Sequence, residues 1–116
     1  MTLKEYQDNH YKLWDYIAYR ILQAKEWLII PDLKTEWLHA NYKPVIANNC
    51  FICDYLLGSR SPDSSDSCEE CIKMLGFRRN GECLGGLYRD CVMCTSYIEQ
   101  YKKACEIRDI WGGNPT

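Results

Sequence analysis

The sequence predicts a single, mainly α-helical domain in which long N- and C-terminal helices pack together. Two observations support this. Apolar residues recur at intervals of three and four near both ends, and paired cysteines among Gly, Ser and Asn fill the middle. The 116 residues divide into an N-terminal helical part (1–43), a cysteine-rich middle (44–86) and a C-terminal helix (87–111). The middle is expected to be irregular, with a small hairpin as an alternative.

The N-terminal part predicts one long helix followed by a short one. Apolar positions at helical spacing run from Lys4 to Ile30: Tyr6, Leu13, Trp14, Ile17, Ile21 and Leu28. Pro31 is expected to stop this helix, because the residue before a proline avoids helical geometry. Fraying after Lys25 is the alternative. Asp32 is expected to cap a second, short helix through LKTEWLHA.

The C-terminal part predicts one continuous helix from Leu87 to Ile110. Its positions spaced by three or four are Leu87, Cys91, Cys94, Ile98, Tyr101 and Cys105. Three cysteines therefore fall on the apolar side of this helix. The tail WGGNPT is not expected to continue it.

Whether the eight cysteines are reduced thiols or disulfides depends on the compartment in which the protein resides. The N-terminal segment has no apolar run that resembles a signal peptide, and no stretch reaches the ~18 apolar residues of a membrane helix. We therefore expect a cytoplasmic protein with reduced thiols and no membrane partner. The alternative is export by another route, with the cysteines joined in disulfide bonds.

The middle region predicts one structural zinc site. Two Cys-x-x-Cys pairs enclose a serine-rich segment of 14 residues. The predicted ligands are Cys50, Cys53, Cys68 and Cys71. Four thiolates complete a tetrahedral coordination sphere and leave no position for water or substrate, so the zinc is expected to stabilise structure. The enclosed segment has too few apolar residues to form a core, and the metal would hold its two ends together.

The other four cysteines leave two interpretations open. They are Cys83, Cys91, Cys94 and Cys105. A second zinc ion bound by this set is chemically reasonable. Buried thiols are favoured, because cysteine is among the residues most often fully buried.

The sequence predicts a binding protein and no enzyme. It has no Ser-His-Asp pattern, Walker loop or dinucleotide fingerprint, and its two histidines, His10 and His39, are expected to be packed or at the surface. A net charge of −2 argues against non-specific nucleic-acid binding. Nine tyrosines and four tryptophans suit a protein interface, but scattered aromatic residues at helical spacing are favoured as parts of a small helical core. Arg78 and Arg79 are the candidate contacts to an anion or a partner.

Other functions stay open beside this one. A zinc module could bind nucleic acid through Arg78, Arg79, Lys102 and Lys103. A sequestering protein could hold a small nucleotide signal by aromatic stacking and the two arginines. The protein could instead be a structural part of the virion. It could also form a homo-oligomer.

The motifs YKLWDYIA, CFICDY and CEEC, followed by a closing helix, resemble a group of small zinc-binding proteins encoded in bacteriophage and prophage genomes. The resemblance covers roughly residues 6–105, and most members of the group are uncharacterised. It implies zinc bound by the four cysteines of the middle region, while Cys91 and Cys94 depart from the group's pattern. A phage origin favours a protein that captures a host component, for example an inhibitor of an antiviral defence system in the host cytoplasm.

Overall fold

A computed structural model of the chain describes residues 2–41, 50–52, 55 and 87–111. Within these ranges the fold is helical, without strands. The helices with both ends in the described ranges are α1 (Leu3–Ala24), α2 (Ile30–Ala40), α3 (Leu87–Val92) and α4 (Tyr97–Asp109). The predicted mainly α class, with N- and C-terminal helices packed together, is confirmed. The predicted hairpin and zinc-clipped loop fall in parts of 44–86 that lie outside the described residues.

Local capping fixes both ends of α1. Thr2 and Glu5 form a capping box, in which the Thr2 hydroxyl accepts a hydrogen bond from the Glu5 backbone N–H at 3.2 Å. At the other end, Lys25 adopts a left-handed conformation with φ of 55°, and its N–H donates to the Ile21 carbonyl at 3.0 Å. The predicted extension to Ile30 is therefore wrong, and the chain turns out of the helix at Lys25, after which fraying was the alternative.

The start of α2 also differs from the prediction. Pro31 lies in the first turn of α2, where its missing N–H costs no helical hydrogen bond, so it helps to begin this helix. Ile29 occupies the capping position and offers no side-chain hydrogen bond. Asp32 is a residue of the first turn, so its predicted role as the cap is wrong. In the first turn its carboxylate interacts favourably with the helix dipole.

The predicted continuous helix from Leu87 to Ile110 is wrong. The chain leaves α3 after Val92 and begins α4 at Tyr97. Ser96 caps α4 by accepting a hydrogen bond from the backbone N–H of Glu99 at 3.2 Å. A serine that satisfies an otherwise unpaired N–H favours a helix start at this point. Cys91 and Cys94 form a third Cys-x-x-Cys pair, and it is divided: Cys91 lies in α3 and Cys94 in the connection that follows.

The core is formed where α1 packs antiparallel to α4 and α2 covers α1. His10 of α1 contacts Ile107 near the end of α4, whereas Leu28, just beyond α1, contacts Gln100 near the start of α4. The buried hydrophobic residues are Leu13, Trp14, Ile17, Ala18, Ile21, Ile30, Leu33, Trp37, Leu38, Phe51, Ile52, Cys91, Ala104, Ile107 and Trp111. All four helices and the short segment 51–52 thus share one core.

No helix in the described ranges combines the length and the apolar character needed to cross a bilayer.

Candidate binding surfaces and cysteine sites

One end of the α1–α4 pair is sealed by aromatic rings, and we call it the closed end. The rings of His10 and Tyr55 meet the Trp111 ring edge-on, with centroids 5.8 and 5.7 Å away, and Tyr6 contacts Tyr55 at 5.5 Å. The Gln7 side-chain amide donates a hydrogen bond to the Trp111 carbonyl at 3.0 Å. Aromatic pairs of this geometry add stability beyond the area they bury.

His10 is a structural residue of the closed end. Only 1% of it is exposed, and Nε2 lies 2.7 Å from the Ile107 carbonyl oxygen. A carbonyl can only accept, so this geometry requires the tautomer with a proton on Nε2. Burial lowers the pKa of His10 to about 4, so the ring is neutral near pH 7. His10 is thus packed in the core, and His39 is exposed on α2.

A buried amide joins three segments at the opposite end of the helix pair. Gln100 is fully buried on α4. Its Oε1 accepts from the Leu28 N–H at 3.0 Å, and its Nε2 donates to the carbonyls of Leu28 at 2.9 Å and Cys91 at 3.4 Å. Sequence reasoning missed this residue. Its spacing of four from Ala104, on the buried stripe of α4, is the signal that marks it.

Exposed hydrophobic side chains concentrate at this second end, which we call the open end. It comprises residues 19–29, the connection 93–96 and the first turn of α4 (97–101). The large hydrophobic residues exposed in the described part of the chain are Leu3, Tyr19, Leu22, Trp27, Ile29, Met93 and Ile98. All except Leu3 lie at the open end. Apolar side chains gathered in this way mark interaction sites.

A shallow groove between α1 and α4 runs along one flank of the open end. Tyr19 and Leu22 of α1 line it together with Tyr101 of α4. Ile98, 50% exposed, lies one turn before Tyr101 on the same side of α4. We call these four residues the α1–α4 surface.

An ion pair borders the α1–α4 surface. The Arg108 guanidinium lies 2.9 Å from the Asp15 carboxylate and 2.9 Å from that of Asp109. It also stacks over the Tyr11 ring, 5.3 Å from the centroid. The hydrogen bond to Asp109 is the largest of the effects that raise the pKa of Arg108. Its charge is therefore balanced locally by two carboxylates.

A second groove, between α1 and α2, lies on the other flank of α1. Its residues are Arg20, Trp27, Leu28, Ile29, Asp32, Leu33 and Glu36, and we call it the α1–α2 groove. The Arg20 nitrogen Nη1 contacts Glu36 Oε2 at 3.0 Å and also bonds the Tyr16 hydroxyl. Of the four tryptophans in the sequence, Trp27 is the exposed one, and the other three are buried.

Cys50 is the one predicted zinc ligand whose position is described. It is half-buried and packs against the core beside Phe51 and Ile52. The other candidate residues of the middle region lie outside the described ranges: Cys53, Cys68, Cys71, Arg78, Arg79 and Cys83. The donor set, four thiols in two Cys-x-x-Cys pairs, fits zinc in its chemistry.

The C-terminal cysteines have individual hydrogen-bond partners. Cys91 is fully buried and its thiol donates to the Gln100 carbonyl at 3.7 Å, while the Cys94 thiol donates to the Asp90 carbonyl at 2.9 Å. Burial raises the pKa of Cys91 to about 12. Cys105 is half-buried on α4. Within the described residues, no three metal-binding side chains form a group that could hold an ion, and no described cysteine is in a disulfide bond.

The two lysines considered for nucleic-acid contact lie side by side on α4. Lys102 is exposed, whereas Lys103 is half-buried with its ammonium 3.6 Å from the Glu106 carboxylate. This neighbour reduces the positive potential that Lys103 offers to a phosphate.

Comparisons with protein-family models, with curated proteins and with solved structures found no match to this chain.

Proposed function

We propose that this chain is a zinc-stabilised helical protein that binds another protein through the α1–α4 surface. The observation that carries the proposal is the concentration of exposed hydrophobic side chains at the open end. Tyr19 is 56% exposed and Leu22 47%, and both line one groove, while Ile98, 50% exposed, lies one turn from its Tyr101. Tyrosine provides a large, rigid contact area with a polar tip and is enriched at protein interfaces.

The charges beside this surface favour a protein over a nucleic acid. Asp15 and Arg108 pair with each other at its border, so they offer no net positive charge to a phosphate backbone. Binding driven by burial of apolar side chains depends only weakly on salt. We therefore expect a complex that persists at high ionic strength.

The class of partner rests on the resemblance to small phage proteins. A chain of this group without catalytic motifs would act by occupying a host protein. We propose a component of an antiviral defence system as the target, blocked by steric capture.

The zinc ion is the second part of the proposal. It would be held by Cys50, Cys53, Cys68 and Cys71, and when bound it supplies folding free energy to the segment that carries them. Cys50 directly precedes two core residues, Phe51 and Ile52, which are fully buried. A metal bound at Cys50 would thus tie the cysteine-rich middle to the hydrophobic core.

Affinity purification from host cells tests the binding surface. The tagged wild type is compared with Tyr19→Ser/Leu22→Ser and with Leu3→Ser, which changes an exposed hydrophobic residue at the other end. We expect one host protein to be enriched by the wild type and Leu3→Ser, and at least about tenfold less by the double variant. Equal recovery with all three proteins would contradict the assignment of the surface, and recovery of no protein would contradict the function.

Native mass spectrometry tests the metal. The expected result is one zinc ion per chain in the wild type and in Cys94→Ser/Cys105→Ser, and none in Cys50→Ser/Cys53→Ser. Two zinc ions in the wild type would indicate a second site formed by the C-terminal cysteines. A metal-free chain whose denatured mass lacks eight hydrogens would mean that all eight cysteines form disulfide bonds, and would overturn the proposal.

A further inference from the structure

The α1–α2 groove carries exposed and buried apolar side chains on one surface. Trp27 is 43% exposed and Ile29 54% exposed, whereas Leu33, which lines the same groove, is buried. Two copies related by a two-fold axis place the same patch on each side of the interface, so the exposed Trp27 of each copy can meet the groove of the other.

The charges of this groove are also self-complementary. Arg20 uses only Nη1 for its contacts to Glu36 and Tyr16, and its remaining N–H groups make no hydrogen bond to a described residue. Asp32, in the same groove, makes no ion pair with any residue in the described ranges. A patch of a single sign would repel its own copy, whereas a patch with an available guanidinium and an available carboxylate attracts it.

We propose that the α1–α2 groove is the interface of a symmetric dimer of this chain. Trp27 of each copy occupies the groove of the other, and Arg20 pairs with the partner's Asp32, twice by symmetry. A guanidinium recognises both a carboxylate and the face of an aromatic ring, so Arg20 can contact the partner's Trp27 as well. The α1–α4 surface lies on the other flank of α1 and stays accessible in this dimer.

Sedimentation velocity of the full-length protein, purified with its metal, tests the dimer. We expect the 13.6 kDa chain to sediment as a dimer at about 100 µM and to dissociate on dilution. Trp27→Ala should weaken association by at least about tenfold. Leu3→Ala, which truncates another side chain that is 43% exposed, should leave association unchanged. A wild type that stays monomeric, or a Trp27→Ala variant that associates equally well, overturns the proposal.

A charge exchange tests the predicted pairing directly. Arg20→Glu alone places a glutamate against the partner's Asp32, and Asp32→Arg alone places an arginine against the partner's Arg20. Each variant should therefore be monomeric by itself, with its fold verified by circular dichroism. An equimolar mixture restores opposite-charge pairing and should form a heterodimer. A mixture that stays monomeric overturns the pairing, and so does a single variant that dimerises like the wild type.

Tryptophan fluorescence provides an independent readout at the interface. Because the other three tryptophans are buried, acrylamide quenches chiefly Trp27. Quenching should decrease as the protein concentration rises through the dimer transition, and quenching that does not change contradicts a buried Trp27. This outcome is independent of the affinity purification, since a dimer can form whether or not a host protein binds the α1–α4 surface.

Discussion

The two ends of the α1–α4 pair use the same kinds of side chain in opposite ways. At the closed end, Trp111 is 6% exposed and packs edge-on against His10 and Tyr55. At the open end, Trp27 and Tyr19 are 43% and 56% exposed. Aromatic content alone therefore does not indicate function. The difference lies in whether a ring meets other rings of the same chain or is left available for a partner.

The largest expected effect on stability comes from replacing one tryptophan at each end by alanine. Trp111→Ala should lower the free energy of unfolding by about 3–5 kcal/mol, because it removes a buried ring from an aromatic cluster. Trp27→Ala should lower it by less, about 1 kcal/mol, because 43% of that residue is exposed. Urea denaturation, measured below the concentration at which the chain associates, gives both values. Similar losses for the two variants would remove the distinction between the ends.

The closed end should also weaken in acid. The folded-state pKa of His10, about 4, lies below its ordinary value of 6.5, so the unfolded chain binds more protons between these pH values. Stability should therefore fall as the pH decreases from 6.5 to 4, by about 3 kcal/mol in total from this group.

Two variants isolate the contribution of His10 to this pH dependence. His10→Gln should flatten the unfolding free energy over this range. His39→Gln, which changes the other histidine of the chain, should retain the slope of the wild type. An unchanged slope in His10→Gln would show that other groups cause the acid sensitivity.

The open end is expected to depend on one buried side chain for its order. Gln100→Leu leaves the N–H and C=O groups of Leu28 without their amide partner. An unsatisfied buried polar group costs about 1–3 kcal/mol, so the free energy of unfolding of this variant should fall by that amount. The Leu28 amide should also exchange its hydrogen faster than in the wild type. Lys102→Ala, at an exposed position of the same helix, serves as the control, and equal exchange in both variants would contradict the role of Gln100.

A smaller effect is expected where α4 begins. Ser96→Ala removes the hydroxyl that accepts the Glu99 N–H and should cost about 1 kcal/mol. The neighbouring Thr95→Ala should be nearly neutral in the same thermal unfolding measurement. Equal effects would mean that Ser96 does not define this helix start.

The sequence predicted the buried residues of the core better than the exposed residues of the open end. Leu13, Trp14, Ile17 and Ile21 follow the helical period, and all four are buried, because one face of α1 meets the core along its length. Leu28 also fitted that period but lies in the connection between α1 and α2. A pattern of apolar residues cannot show that Lys25 adopts a left-handed conformation, since lysine has no preference for it.

Two further features could not be predicted from the sequence: the helix break before α4 and the exposure of the residues in the candidate surfaces. Cys94 lies three residues after Cys91 and four before Ile98, so the spacing of apolar residues predicted one helix. The structure has two helices, and the second begins at the Ser96 cap. Exposure of Tyr19 depends on which flank of α1 it occupies after packing, and exposure of Trp27 and Ile29 depends on how the connection between α1 and α2 lies against the helices. That placement is a property of the tertiary structure, and residue types alone do not encode it.

Site-specific photo-crosslinking tests most directly the claim that the open end is the part that binds. A photoreactive amino acid is placed at Tyr19 or at Lys12, two turns earlier on the same face of α1 and also exposed. In host cells we expect a discrete crosslinked protein from Tyr19 and none from Lys12. Crosslinking from Lys12 alone, or the same product from both positions, would contradict the account.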